Sequence, residues 1–215
     1  MTRALVLSSL LLLLVLPGSA EARTSVSGRR DMRGLVDQFS TMTGGPSRQA
    51  LDAAMTAYTR AVDQGAVANP RYLTVIDYSL PSVKPRMWVL DLDSIAILYH
   101  ELVAHGRGSG ETMATAFSNR DGSHMTSLGL FVTDDSYVGS NGYSLRLSGL
   151  DPGLNDRAFE RAIVVHGAPY VSDATARSGR LGRSWGCPAV RLEVARTIID
   201  TIKGGSVLFA YGPTA

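Results

Sequence analysis

The 215-residue chain has one cysteine, Cys187, which excludes an intramolecular disulfide and any C-x-x-C metal or redox pair. It has four histidines, yet no two stand at helical i, i+4 spacing and no H-E-x-x-H occurs. Structural zinc is therefore not expected, and no cofactor is expected either. The "GRGSG" of Gly106–Gly110 lacks the lysine and spacing of a phosphate-binding loop, and there is no dinucleotide fingerprint and no G-x-S-x-G elbow. Charge of one sign is also missing. With 21 Lys and Arg against 19 Asp and Glu, and no basic run, nothing recommends a nucleic-acid partner. No internal repeat is present. The longest apolar run, Ala4–Leu16, broken only by Ser8 and Ser9, spans 13 residues, short of the roughly 20 a bilayer span needs.

That short run still has a reading. Arg3 precedes it, Pro17 and Gly18 end it, and the small-x-small "AEA" of Ala20–Ala22 follows, which is the three-part layout of a secretory signal peptide. Cleavage is expected after Ala22, with Ala20 as the other candidate. The mature chain would then have 193 residues and lie in the periplasm or cell envelope without stable membrane insertion. Residues 23–70 read as a linker and a helical N-terminal extension, and residues 71–215 as the main domain. The oligomeric state is left open.

Hydrophobic content of 45% and 22 glycines describe a globular chain with many turns. Gly34–Thr43 gives a faint helical signal. A stronger one runs over Gln49–Gln64, where Leu51, Ala54, Met55, Tyr58, Ala61 and Val62 recur at three- and four-residue spacing and Pro46 suits the first turn. After Pro70 the segments become short and rich in β-branched and aromatic residues: "YLTVIDYSL", "RMWVLDL", "IAILYHELVAHG", "SLGLFVT", "YSLRLSGL", "RAIVVHG" and "SVLFAY". "DLDS" at Asp91–Ser94 reads as a hairpin turn. One later segment is helical, with Val190, Val194, Ile198 and Ile202 repeating every fourth residue until Gly204. The expected fold is mainly β.

A lone thiol in an oxidising compartment is a liability unless it is buried or used. Cys187 lies in "GRSWGCPAVR", just before the helix expected near Val190. A helix N-terminus would lower the thiol pKa, Gly186 would let a substrate approach, and the Gly186 and Cys187 amides could form an oxyanion hole. A cysteine nucleophile needs a histidine base. His166, at the exit of the apolar "AIVV" strand, is the first candidate. His124, in the polar loop "RDGSH", is the second.

These residues carry a resemblance. "HGAPY" at His166–Tyr170 and then "SWGC" at Ser184–Cys187, with 17 residues between His166 and Ser184, is similar to the L,D-transpeptidase signature, and "TSLGLF" at Thr126–Phe131 looks like that family's T-P-x-G-x-F strand with Ser127 in place of proline. The whole phrase "LGRSWGCPAV" resembles the murein L,D-transpeptidase catalytic-domain-like branch. The resemblance implies an L,D-transpeptidase-type β-sandwich with a helix after the catalytic cysteine. It also implies an exported enzyme acting on peptidoglycan stem peptides, by 3–3 cross-linking or D-alanine removal. Cys187 would form a thioester, His166 would relay the proton and the Gly167 carbonyl would orient the ring. Ser184, Trp185, Gly186 and His124 would bind substrate or oxyanion. Two positions depart from the pattern: Trp185 stands where most members have histidine, and Ala189 where most have arginine or asparagine.

Two other readings compete. A sortase-like transferase would use His124, Cys187 and Arg191 in that order, although the T-L-x-T-C strand is missing; papain-like peptidases place cysteine before histidine. A non-catalytic wall-binding module would need neither Cys187 nor His166.

Overall fold

The computed structural model describes residues 31–213. The signal-peptide reading of residues 1–22 and the linker reading of residues 23–30 lie outside the described residues.

Two helices come first, α1 (Met32–Thr41) and α2 (Arg48–Asp63). Ser47 caps α2, its hydroxyl accepting from the Ala50 N–H at 3.2 Å. Pro46 therefore precedes the cap instead of occupying the first turn. Leu51, Ala54, Met55, Tyr58 and Ala61 of α2 are buried, as the spacing predicts, whereas Val62 of the same expected stripe is exposed.

Nine strands follow: β1 (Tyr72–Asp77), β2 (Met87–Asp91), β3 (Ala96–Glu101), β4 (Val103–Ala104), β5 (Gly129–Gly139), β6 (Gly142–Gly149), β7 (Val164–Gly167), β8 (Ala189–Val190) and β9 (Val207–Tyr211). They form one sheet in the order β3-β2-β1-β9-β5-β6-β7-β8-β4. The pairs β1–β9 and β7–β8 are parallel, and the other pairs are antiparallel. Only Leu102 separates β3 from β4, the two ends of that order, so the sheet has to fold back on itself into two facing layers.

Alternate residues of the central strands feed two cores. Ile76, Met87, Val89, Phe131, Leu208 and Ala210 join an inner cluster with Ala195, Ile198, Ile199 and Ile202 of α4 (Leu192–Ile202). Leu73, Val75, Trp88, Leu90, Leu130 and Val207 instead meet α1 and α2. Burial on both faces explains why "YLTVID" and "MWVLD" read as largely apolar runs rather than alternating ones.

Three local expectations differ from the structure. The helix expected from Val190 starts at Leu192, because Ala189 and Val190 are taken as a strand between β7 and β4. A short helix α3 (Asp173–Arg177) also appears, closed by a reciprocal Ser172–Thr175 capping box. Finally, "IAILYHELVAHG" divides at Leu102 into β3 and β4, which pair with different neighbours.

Candidate active site

The β7–β8 parallel pair builds the site. His166 is opposite Ala189, and its N–H donates to the Pro188 carbonyl at 3.4 Å. The residue two before Ala189 is Cys187, so pairing across β7 and β8 brings together groups far apart in sequence. Cys187 and His166 line one cleft of about 510 Å3 with Ser140, Asn141, Arg161, Tyr170, Arg183 and Trp185. That volume falls in the range of small-molecule sites. A larger hollow of about 710 Å3 between α1 and α2 is lined by neither cysteine nor histidine.

Why the turn before β8 takes its shape is local. The Ser184 hydroxyl donates to the Cys187 carbonyl at 2.6 Å and accepts from the Gly186 N–H at 3.1 Å. Gly186 has φ +123°, and a Cβ there would sit 2.7 Å from the Met125 carbonyl oxygen and 3.0 Å from Ile163 Cδ1. Only glycine fits. Gly167 is under a different constraint: a Cβ would lie 2.9 Å from the Ala195 Cβ, so β7 can approach α4 only without a side chain.

His166 Nδ1 lies 3.0 Å from the Gly167 carbonyl. A carbonyl can only accept, so Nδ1 carries the hydrogen and Nε2 of the neutral ring is left as the base. Burial holds the imidazole pKa below its ordinary value, partly opposed by that same carbonyl. The ring is neutral at pH 7.

The thiol is also neutral. Cys187 is buried, and burial pushes its pKa up; the Val164 amide, Arg161 and the thiol's own backbone N–H offset this only in part. Its Sγ donates to the Ala162 carbonyl at 3.6 Å. Two expectations from the sequence are thereby corrected. Cys187 is not at a helix N-terminus, since β8 separates it from α4, and the dipole effect does not extend beyond the first turn. It is a resting thiol, not a resting thiolate. The Gly186 N–H is also spent on Ser184, which leaves the Cys187 N–H as the oxyanion donor of the expected pair. Ser184 acts as the brace of the turn.

His124 is not in the Cys187 cleft. It lines a neighbouring hollow of about 130 Å3 with Asp121, Gly122, Arg161 and Trp185, and its ring stacks on Trp185 with centroids 4.9 Å apart and planes 18° apart. Trp185, 69% exposed, stands between the two hollows as a shared wall. Arg191 makes a two-pronged bond to Glu101, Nε to Oε2 at 2.8 Å and Nη2 to Oε1 at 2.9 Å. The sortase-like set of His124, Cys187 and Arg191 is therefore not assembled. Among the described residues, no group of three His, Cys, Asp or Glu could hold a metal ion.

Several lining residues escaped sequence reasoning. Ser140 and Asn141 are the tip of the β5–β6 hairpin, and the Asn141-Gly142 turn pair was the signal that could have placed them. Tyr170, its hydroxyl pKa pushed up to about 12 chiefly by burial, and Arg183, whose Nη1 lies 2.6 Å from Glu111 Oε1, had no such signal. Neither did Arg161.

Comparison with known proteins gives one family. The L,D-transpeptidase catalytic domain matches residues 43–211. Among solved structures, an L,D-transpeptidase from Mycobacterium smegmatis is similar at 14% identity, covering 65% of this chain and 58% of that one, with a TM-score of 0.40. Mycobacterium tuberculosis L,D-transpeptidase 1 is similar at 14% identity, covering 66% and 62%, with a TM-score of 0.38. Residues 123–326 of an L,D-transpeptidase from Xylanimonas cellulosilytica are similar at 16% identity, covering 84% and 90%, with a TM-score of 0.37. The chain spans about three fifths of the length of the two mycobacterial chains. No curated protein matches.

Proposed function

Because the chain belongs to the L,D-transpeptidase catalytic-domain family, we propose that it is an exported cysteine acyltransferase acting on peptidoglycan tetrapeptide stems. One observation carries the reading: the Cys187 thiol and the His166 ring line the same cleft, with His166 Nδ1 committed to Gly167 and Nε2 unspent.

The chemistry follows from two neutral groups. His166 Nε2 takes the thiol proton as Cys187 Sγ attacks the carbonyl between the diamino acid and the terminal D-alanine. The negative charge passes to the carbonyl oxygen, where the Cys187 N–H donates to it. The tetrahedral adduct collapses, the imidazolium returns the proton to the departing nitrogen, and D-alanine leaves a thioester on Cys187. An amine of a second stem then attacks the thioester and gives a 3–3 cross-link, with its proton taken up by His166 and the thiol restored. Water in place of the amine gives D-alanine removal. Trp185 and the hairpin tip at Ser140 and Asn141 frame the entrance for the two peptides.

The test uses the mature protein and a disaccharide-tetrapeptide, with products read by mass. Loss of D-alanine or formation of dimers by the wild type, reduced at least about 10³-fold in Cys187→Ala, supports the reading. Equal activity in Cys187→Ala sinks it. For export, the N-terminus of the protein from the cell envelope should begin at Arg23; an intact Met1 there rejects cleavage.

A further inference from the structure

Arg161 is the one cleft residue whose charge is left uncompensated. Its Nη1 donates to the Ser118 carbonyl at 2.8 Å and the Ser127 hydroxyl at 2.5 Å. Its Nη2 donates to the Met125 carbonyl at 2.8 Å and the Ser123 hydroxyl at 3.3 Å. All four acceptors are neutral. Among the described residues no carboxylate lies within ion-pair distance of Arg161, and the exposed Asp121 acts on it only from farther away. Arg183, the other arginine lining the cleft, is paired with Glu111.

The position of Arg161 has two further properties. Its Nη2 lies 3.4 Å from where a Cβ of Gly186 would be, so the guanidinium rests against the residue preceding the nucleophile. It also lines both the Cys187 cleft and the Trp185–His124 hollow. No Asp or Glu lines the Cys187 cleft. With its four Nη hydrogens spent on neutral groups and, among the described residues, its Nε–H left over, the half-buried guanidinium attracts an anion, because a counter-charge offsets part of the cost of removing a cation from water.

Resting on the transpeptidase reading, we propose that Arg161 anchors the free C-terminal carboxylate of the residue that leaves, and so restricts the acyl donor to stems that end at that residue. In a peptide the carboxylate carbon of the leaving residue is roughly 4 Å from the attacked carbonyl carbon. A cation beside Gly186 is within one residue of Cys187, the reach this requires. The anchor acts in binding and orientation. His166 and the Cys187 amide do the chemistry.

The experiment compares the tetrapeptide with its C-terminal D-alaninamide, and with a tetrapeptide amidated at the other stem carboxylate. In the wild type, kcat/KM for the free acid should exceed that for the C-terminal amide at least tenfold, and amidation elsewhere should change it less than threefold. Arg161→Gln should lose about 10²-fold on the acid and less than threefold on the amide, so that the preference vanishes, with Arg161→Lys in between. A far-UV circular dichroism spectrum unchanged in the variants keeps a folding defect apart from a binding one. A wild type indifferent to C-terminal amidation overturns the proposal without any variant. A preference that follows the other carboxylate, or an equal loss on both substrates in Arg161→Gln, does the same. If the wild type releases D-alanine or D-alaninamide from none of the peptides, the transpeptidase reading itself fails, and this proposal with it.

Discussion

Acid should destabilise this fold through a histidine that takes no part in the site chemistry. His105 is fully buried, its Nδ1 accepting from Arg86 Nη2 at 2.8 Å and its Nε2 lying 3.3 Å from the Gly110 carbonyl. Arg86 is a fully buried cation caged by the Val103 and Leu80 carbonyls. The ring must therefore be neutral, and burial followed by the Arg86 charge lowers its pKa from 6.5 to about 4. In the unfolded chain it protonates near 6.5, so unfolding takes up a proton between those values. The stability associated with neutral His105 is complete above pH 6.5 and is lost as pH falls toward 4. Moving from pH 7 to pH 5 should cost about 2 kcal/mol, and a Tm drop of roughly 4–8 °C for a domain of this size. His166, also lowered by burial, adds to the loss in the same direction. Carboxylates with lowered pKa such as Asp91 and Glu111 release their stabilisation only at lower pH, so the two windows separate. Urea denaturation at pH 7 and pH 5 reads the difference. His105→Asn keeps an acceptor for Arg86 and removes the titration, so its stability should be lower at pH 7 yet fall about 2 kcal/mol less on acidification. An acid loss in His105→Asn as large as in the wild type refutes the assignment.

Other outcomes follow from the turn around Cys187. Gly186→Ala places a Cβ 2.7 Å from the Met125 carbonyl at φ +123°; we expect about 2–5 kcal/mol of destabilisation by denaturant titration and at least a hundredfold loss of turnover, and a wild-type melt would refute it. Ser184→Ala removes two hydrogen bonds that brace the turn and should cost about 2 kcal/mol in the same assay, with kcat falling because Cys187 loses its position. Because burial raises the Cys187 pKa, alkylation by iodoacetamide should keep accelerating from pH 7 to pH 9, whereas a plateau below pH 8 would reveal a resting thiolate. Trp185→Ala removes an exposed ring, so Tm should stay within about 2 °C while KM rises several-fold; an unchanged KM for both peptides would remove Trp185 from the entrance.

Much of the architecture is written in local pattern. The isoleucines of α4 and the Leu51–Ala61 stripe of α2 give their buried faces because helical spacing is a property of neighbouring residues. "YLTVID" and "MWVLD" declare strands buried on both faces. The Cys187 and His166 pair was legible because its spacing and flanking glycines make a recognisable phrase. Helix α3 was missed, since five residues with a Ser172–Thr175 box carry no apolar period.

The sequence alone determined which groups could react, the cysteine and a histidine at a strand exit, together with the mainly β class. Tertiary structure decided their state. Ala189 and Val190 become a strand because β7 and β4 flank them, and that pairing moves the helix start away from Cys187 and leaves a neutral thiol. Arg161 likewise acquires its place beside Gly186 only when Ser118, Met125 and Ser127 fold over it. Chemical identity is set residue by residue. Charge state and encounter depend on burial and on partners distant in the chain, which no local pattern encodes.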